Sequence, residues 1–193
     1  MAYLRSFLPW IAVSVLVGTI DIRYALLVGL VLALALAVGQ RRAGRDWSAL
    51  VIEVSAALFF AACTAAAFAS PDSDLVKNYS SAGSSLWLAL VAWGSLALGK
   101  PFTLGIARTT VAAEHWQSPL FRRVNTVITA VWAGAFTVGG AGSVWLHHTQ
   151  PDNSGARTVL TVACIVVPIL FTVRYPALAR ARFLAAPREE TSK

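Results

Sequence analysis

The feature that most limits what this chain can fold into is a set of long stretches without charge. No Asp, Glu, Lys or Arg occurs over 24–40, 54–71, 78–99, 124–151 or 158–173. A helix needs about 20 predominantly apolar residues to cross the hydrocarbon core of a bilayer. Only 13% of the 193 residues are charged, whereas an ordinary soluble domain carries roughly 25%. The sequence therefore predicts an all-α polytopic membrane protein.

Six transmembrane helices are predicted, separated by polar or charged turns. They cover about 4–20, 23–40, 48–69, 84–99, 120–146 and 157–175. The Ser-rich stretch 70–85 and the turn-forming stretch 147–157 are predicted to be loops. We expect residues 1–180 to form a single transmembrane helical domain, a bundle of about six helices, and residues 181–193 to form a polar cytoplasmic tail. An alternative stays open, in which 4–40 is a helical hairpin that does not fully cross.

The distribution of Lys and Arg predicts how these helices are oriented. With six spans, three of the 16 Lys and Arg residues, Arg23, Lys77 and Arg157, fall on one side and the rest on the other. Cytoplasmic loops carry the excess of Lys and Arg, so both termini are predicted to be cytoplasmic. Because this rule accounts for the net charge of +7, we expect the lipid bilayer as a partner and no nucleic acid.

The stretch GKPFTLGIAR opens the predicted cytoplasmic loop 100–119. Lys100 is expected to close the fourth span by reaching toward lipid phosphates, and Pro101 to stop that helix. Thr103 is predicted to cap a short helix that lies in the membrane interface. On that helix, Arg108 is expected to reach a phosphate or a carboxylate.

Glu53 is the only acid well inside a predicted span. An intramembrane acid is by default a functional-site hypothesis, since a lone buried carboxylate needs a partner. The expected partners are Arg122, Arg123 or Asn125, at the start of the fifth span. Two interpretations stay open: a structural ion pair, or a proton relay or ligand contact. The candidate polar cluster consists of Glu53, Lys100, Arg108, Arg122, Arg123 and Asn125.

Small residues recur at helical spacing in the fifth span, which is how membrane helices approach one another closely. Gly134 and Gly139, with Trp132 on the same helix, are therefore predicted to be packing positions. Cys63 and Cys164 lie in apolar runs and are predicted to be buried small hydrophobes.

No catalytic motif is present: the chain has no GxSxG, HExxH or P-loop pattern. His147 and His148 are predicted to lie on the opposite side of the membrane from His115, so they do not suggest a metal or haem site. We therefore expect neither an enzyme nor a cofactor.

Three stretches, in the order in which they occur along the chain, carry a family resemblance. A span ends in an Arg pair before Trp47, GKPFTLGIAR follows the fourth span, and PLFRRVNTVITAVW opens the fifth. This pattern, over about residues 20–145, resembles the bacterial intracellular septation protein A family. The matching positions are Lys100, Pro101, Arg122, Arg123, Asn125, Trp132 and Phe136.

The resemblance implies a small bacterial inner-membrane protein without enzymatic activity or cofactor. Such a protein supports cell-envelope integrity, septation or morphogenesis through division and elongation membrane proteins, or as a homo-oligomer. The residues themselves favour a second hypothesis, a small ion or solute transporter or channel that uses the polar cluster around Glu53. A polar cavity within the bundle would distinguish the second hypothesis from the first.

Overall fold

A computed structural model describes residues 5–71 and 74–185, with side chains throughout except at 48 and 74–78. In this part of the chain every element is helical, so the predicted all-α class is confirmed. Short 3-10 turns at Trp47–Ala49 and Ala113–His115 precede the helices that begin at Val51 and Pro119. The helices are α1 (Leu8–Leu16), α2 (Ile22–Arg42), α3 (Val51–Ala69), α4 (Asp74–Ala97), α5 (Phe102–Ala107), α6 (Pro119–Thr149) and α7 (Ser154–Ala185).

Four of these helices, α2, α3, α6 and α7, are long and apolar enough to cross a membrane. The nine residues of α1 extend only about 14 Å at 1.5 Å per residue, half of the ~30 Å hydrocarbon thickness. Helix α4 has 24 residues, but the serines of its first half make it less apolar. The prediction of about six spans is therefore not confirmed.

The prediction of a loop over 70–85 is wrong from residue 74 onward, because α4 begins at Asp74. The Ser84 and Ser85 hydroxyls donate hydrogen bonds of 2.7 and 3.3 Å to the Ser81 carbonyl. Serine can be accommodated inside a helix when its hydroxyl bonds back to the preceding turn. The polar composition that favoured a loop is therefore compatible with a helix.

Helix α4 ends where the sequence GKPF, residues 99–102, predicts a helix end. Gly99 adopts a positive φ of 65°, and the Lys100 N–H donates to the Ser95 carbonyl at 2.9 Å, which is the glycine-dependent helix end of many proteins. The Phe102 N–H then donates to the Ser95 hydroxyl at 3.2 Å. Pro101 between them has no N–H to continue the helix.

The short helix predicted after Pro101 forms as α5, but it packs into the bundle instead of lying in the interface. Phe102 and Ile106 are buried against α3 and α6. Thr103 does not cap the helix: it is fully buried, donates to the Asn125 carbonyl at 2.9 Å and lies 2.8 Å from the Thr129 hydroxyl. Polar side chains buried at this depth need such partners, which explains the position of α5.

Helix α6 lies at the centre of the bundle and packs on α4 and α7 through small residues. A methyl group at Gly140 would lie 2.7 Å from Leu86 Cγ and 3.1 Å from the Leu86 backbone nitrogen. A methyl group at the predicted packing residue Gly139 would contact Cys164 Cβ at 3.4 Å. Gly134 makes no comparable contact within the bundle, because a methyl group there would have no neighbour within 4 Å.

We expect Gly140→Ala to destabilise the protein by about 1–3 kcal/mol, because the methyl group overpacks the α4–α6 contact. Gly134→Ala is the matched control on the same helix. It should be neutral, or stabilising by up to about 1 kcal/mol, because alanine is a better helix former than glycine. Thermal unfolding of both variants in one detergent measures the difference. Equal melting temperatures would contradict the close α4–α6 contact.

Candidate functional site

The helices alternate in direction, so the two ends of the bundle differ in charge. We call the end that contains Arg5, Arg41, Arg42, Arg45, Arg108, Arg122 and Arg123 the arginine-rich end. The opposite end contains the α1–α2, α3–α4 and α6–α7 connections. Hydrogen bonds across the bundle define this arrangement: Ser6, just before α1, joins α3 at the arginine-rich end, and Tyr79 of α4 joins His148 of α6 at the opposite end.

Glu53 is fully buried near the arginine-rich end, where it joins the first three helices. Its Oε1 accepts hydrogen bonds from the Ser6 hydroxyl at 2.6 Å and from Gln40 Nε2 at 2.5 Å. Its Oε2 is buried without a partner among the described residues. The carboxyl group is thus held by two neutral donors, one from the segment before α1 and one from α2.

The predicted pairing of Glu53 with Arg122, Arg123 or Asn125 is wrong. Neither arginine is buried, and Arg122 donates to the side chain of Gln117. Asn125 is buried, but its amide donates to the Phe121 carbonyl and its Oδ1 has no partner among the described residues. The reason is geometric: the residues lie at one end of the bundle, but Glu53 turns toward α1 and α2 and away from α6.

The remaining members of the predicted cluster also lie apart from Glu53. Lys100 is exposed after the end of α4. The Arg108 guanidinium lies over the Trp116 ring at 5.4 Å, and its buried Nε has no hydrogen-bond partner among the described residues. The six predicted residues therefore mark the arginine-rich end without forming one site.

A large cavity opens at the opposite end and has a volume of about 720 Å³, which lies in the range typical of ligand sites. We call its opening the mouth, lined by Tyr79, Ser80, Ser143, His147 and Arg157. Tyr79 also contacts the His147 ring edge to face at 5.0 Å. The mouth thus carries hydroxyl, imidazole and guanidinium groups.

A second cavity of about 460 Å³, which we call the chamber, continues from the first toward the middle of the bundle. The two cavities share five lining residues, Trp10, Ser14, Ser81, Ser84 and Thr161. Deeper in, the lining is mainly aromatic and aliphatic. Cys164 also lines the chamber and is only partly buried, so the prediction that it is simply a buried hydrophobe is incomplete.

Aromatic side chains form a floor at the deep end of the chamber. Phe7 stacks on Trp132 with ring centroids 5.0 Å apart and an interplanar angle of 15°, and it lies 6.0 Å from Phe136. The Trp132 indole is held by a 3.0 Å hydrogen bond to the Thr172 hydroxyl of α7. Phe7 directly follows Ser6, which donates to Glu53. The floor is therefore linked through the chain, from Phe7 to Ser6, to the hydrogen bond that holds Glu53.

Sequence reasoning misses the cavity residues, although one signal is present. Ser80, Ser81, Ser84 and Ser85 are spaced so that they fall on one face of a helix. In an otherwise apolar segment, a hydroxyl-bearing helix face is expected to line a water-accessible space or to contact another helix. Serine and glycine are also common in turns, and for that reason the composition of the stretch favours a loop.

The four long apolar helices fit a membrane protein, and its helical bundle contains a cavity. Comparison with protein-family models, with curated proteins and with solved structures found no match. The resemblance to the septation protein A family thus stays a prediction from the sequence motifs.

We expect Glu53→Ala to be markedly destabilising, because it leaves the Ser6 and Gln40 donors buried without an acceptor, at about 1–3 kcal/mol for each unsatisfied group. Glu53→Gln should be milder, since the amide oxygen can still accept both bonds. Thermal unfolding in detergent measures both effects. The control is Glu114→Ala, whose exposed carboxylate should change stability by no more than about 0.5 kcal/mol. Equal stability of all three variants would contradict a structural role for Glu53.

Proposed function

We propose that this protein is a small, non-enzymatic transporter of the bacterial inner membrane that takes up its substrate in the chamber. The arginine-rich end faces the cytoplasm, together with both termini, and the mouth faces outward. The excess of cations at one end of the bundle supports this orientation.

One observation carries the proposal: the cavity opens at the end opposite the arginine-rich end and reaches the middle of the bundle. The mouth leads through the serine-lined middle to a chamber near mid-bundle, and the stacked Phe7 and Trp132 rings close its deep end. A binding site near the bilayer midplane with access from one side is the arrangement on which alternating access depends. A protein that acts only as a scaffold has no need for such a cavity.

Glu53 lies where it can couple transport to protons. Polar groups inside membrane proteins often mark proton relays, and Glu53 accepts a hydrogen bond from Ser6, the chain neighbour of the floor residue Phe7. In this proposal, opening of the floor exposes the Ser6–Glu53–Gln40 group to the chamber. The unpartnered Oε2 is then the atom that gains or loses a proton. The variant Glu53→Gln keeps the hydrogen bonds but cannot cycle a proton, so it should fold and fail to transport.

Accessibility of an introduced cysteine tests the open cavity. In a background with Cys63→Ser and Cys164→Ser, a membrane-impermeant thiol reagent added to intact cells should modify Ser84→Cys. The control is Leu90→Cys on the same helix, whose side chain is 65% exposed on the surface of the bundle and faces lipid. Since the thiolate is the reactive form and it requires water, the Ser84→Cys thiol should react about tenfold faster or more.

The same pair of variants tests the floor. In inside-out vesicles the reagent should reach the Ser84→Cys thiol slowly, and Phe7→Ala should raise that rate by removing half of the aromatic stack. If the Ser84→Cys thiol is no more reactive than the Leu90→Cys thiol from either side, the cavity holds no water and the transporter proposal fails.

The proposed orientation predicts the outcome of reporter fusions. Fusions between α2 and the Trp47 turn, at 43–45, and at the C-terminus should report the cytoplasm. Fusions at 70–71 and at 151–153, in the connections of the opposite end, should report the outside. Alkaline phosphatase and green fluorescent protein activities provide the measurement. An external C-terminus would overturn the orientation.

The envelope role implied by the family resemblance is a second proposal, and one observation favours it. Five of the seven positions that carry the resemblance lie at the arginine-rich end: Lys100, Pro101, Arg122, Arg123 and Asn125. The other two, Trp132 and Phe136, line the chamber. At the arginine-rich end Pro101 precedes α5, and Thr103 of α5 bonds to the Asn125 carbonyl. This unit lies away from the cavity and is placed to contact division or elongation proteins from the cytoplasmic side. Cell morphology after deletion of the gene, with rescue by Asn125 variants, tests it.

A further inference from the structure

The charge of the cavity is set by one residue. Arg157 is the only charged side chain among the described residues that line the mouth or the chamber. One of its N–H groups donates to the Pro151 carbonyl at 2.9 Å. A guanidinium has five N–H donors, so the others are available to a ligand within the described structure. The cavity is therefore positive at its mouth.

Hydroxyl donors at the mouth reinforce this polarity. In the described part of the chain, the hydroxyls of Ser80 and Ser143 make no hydrogen bond, so they are free to turn toward a ligand. In contrast, the hydroxyls of Ser14 and Thr161, at the middle of the cavity, donate to carbonyls of their own helices at 2.8 and 2.9 Å. These two hydroxyls therefore present acceptor lone pairs to the cavity, and an anionic group is stabilised best at the mouth, beside the Arg157 guanidinium.

The cavity continues far below this anion-binding position. Along α7, the distance from Arg157 at the mouth to Thr172 in the chamber is roughly 23 Å at 1.5 Å per residue. This exceeds half of the ~30 Å hydrocarbon thickness. The deep part is lined by aromatic and aliphatic side chains such as Phe136 and Leu88. A molecule that fills both parts needs a polar head and a long apolar body.

The chamber is also open toward the side, between α1 and α7. Chamber residues on these two helices remain exposed: Val15 by 66%, Ile165 by 44% and Val173 by 73%. Helix α7 packs mainly on α6, and only 6% of its most apolar stretch is buried. In a membrane this opening faces acyl chains, so an apolar body can enter without passing through water.

We infer that the ligand of the cavity is an anionic amphiphile, which enters sideways between α1 and α7 and places its carboxylate or phosphate at Arg157. This inference rests on the proposed function of the cavity and names its substrate class. The head lies at the depth of the mouth, where lipid headgroups lie, and the apolar body extends through the chamber to the Phe7–Trp132 floor.

Protection of the introduced thiol tests the inference. The Ser84→Cys protein, in the background without native cysteines, is placed in phosphatidylcholine nanodiscs and treated with the impermeant thiol reagent. Hexadecanoate should slow the modification by about tenfold or more, since hydrogen bonds to a charged group contribute about 1.5–3 kcal/mol. Hexadecanol and hexadecyltrimethylammonium have the same chain with a neutral or cationic head, and they should protect much less.

Arginine variants distinguish a specific effect of Arg157 at the mouth from an effect of the overall charge at this end of the bundle. Arg157→Gln should remove the protection by hexadecanoate, whereas Arg157→Lys should keep part of it. Arg23→Gln is the matched control, because Arg23 lies at the same end but lines neither cavity. Melting temperatures of the variants show whether each is folded, and Arg157→Lys provides the comparison if Arg157→Gln is unstable.

The outcomes distinguish this inference from the proposed function. Three results would overturn the anionic ligand: equal protection by all three amphiphiles, no protection by hexadecanoate, or full protection in the Arg157→Gln variant. Each of them would leave the proposal of a water-filled cavity intact. A Ser84→Cys thiol that fails to react without any amphiphile would overturn both. The two sources of such a ligand are also separable: if phosphatidylglycerol nanodiscs alone protect the thiol, the bilayer's own anionic lipid occupies the site.

Discussion

The hydrogen bonds of Ser6 and Gln40 to Glu53 are the interactions on which the rest of the structure depends. They join the segment before α1, helix α2 and helix α3 at the arginine-rich end. Helix α1 begins at this end and leads to the α1–α2 connection at the opposite end. The turn at Val17 and Gly18 lines the large cavity. The buried carboxyl group thus fixes the position of α1, whose Trp10 and Ser14 line both cavities.

The cavity also explains why α4 contains serines where the other long helices are apolar. A helix surrounded by lipid and other helices is normally apolar on every side. The serines of α4 face the cavity, and Ser84 and Ser85 satisfy their hydroxyl donors within the helix. The other side of α4 packs on α6, where Gly140 lies against Leu86. One helix thus combines a polar face for the cavity with a tightly packed face for the bundle.

The two ends of the molecule carry different chemistry. At the arginine-rich end two cations lie over tryptophan rings, Arg41 over Trp47 at 5.2 Å and Arg108 over Trp116 at 5.4 Å. Tryptophan and cationic side chains at this level are typical of the membrane–water interface. The opposite end carries the mouth with Arg157 and hydroxyl groups. The cations that lie over tryptophan rings and the cavity with Arg157 are therefore at opposite ends of the bundle.

The sequence by itself determined the class of protein, the end of α4 and the segregation of cations. These follow from local properties: an uncharged run of sufficient length, a glycine followed by Lys100 and Pro101, and the spacing of Lys and Arg. Only the tertiary structure decided the partners of Glu53, the burial of α5 and the existence of the cavity. Ser6, Gln40 and Glu53 are far apart in the chain, so no local pattern shows that they meet. Serine is equally common in turns and on polar helix faces, and only packing against α1, α6 and α7 distinguishes the two.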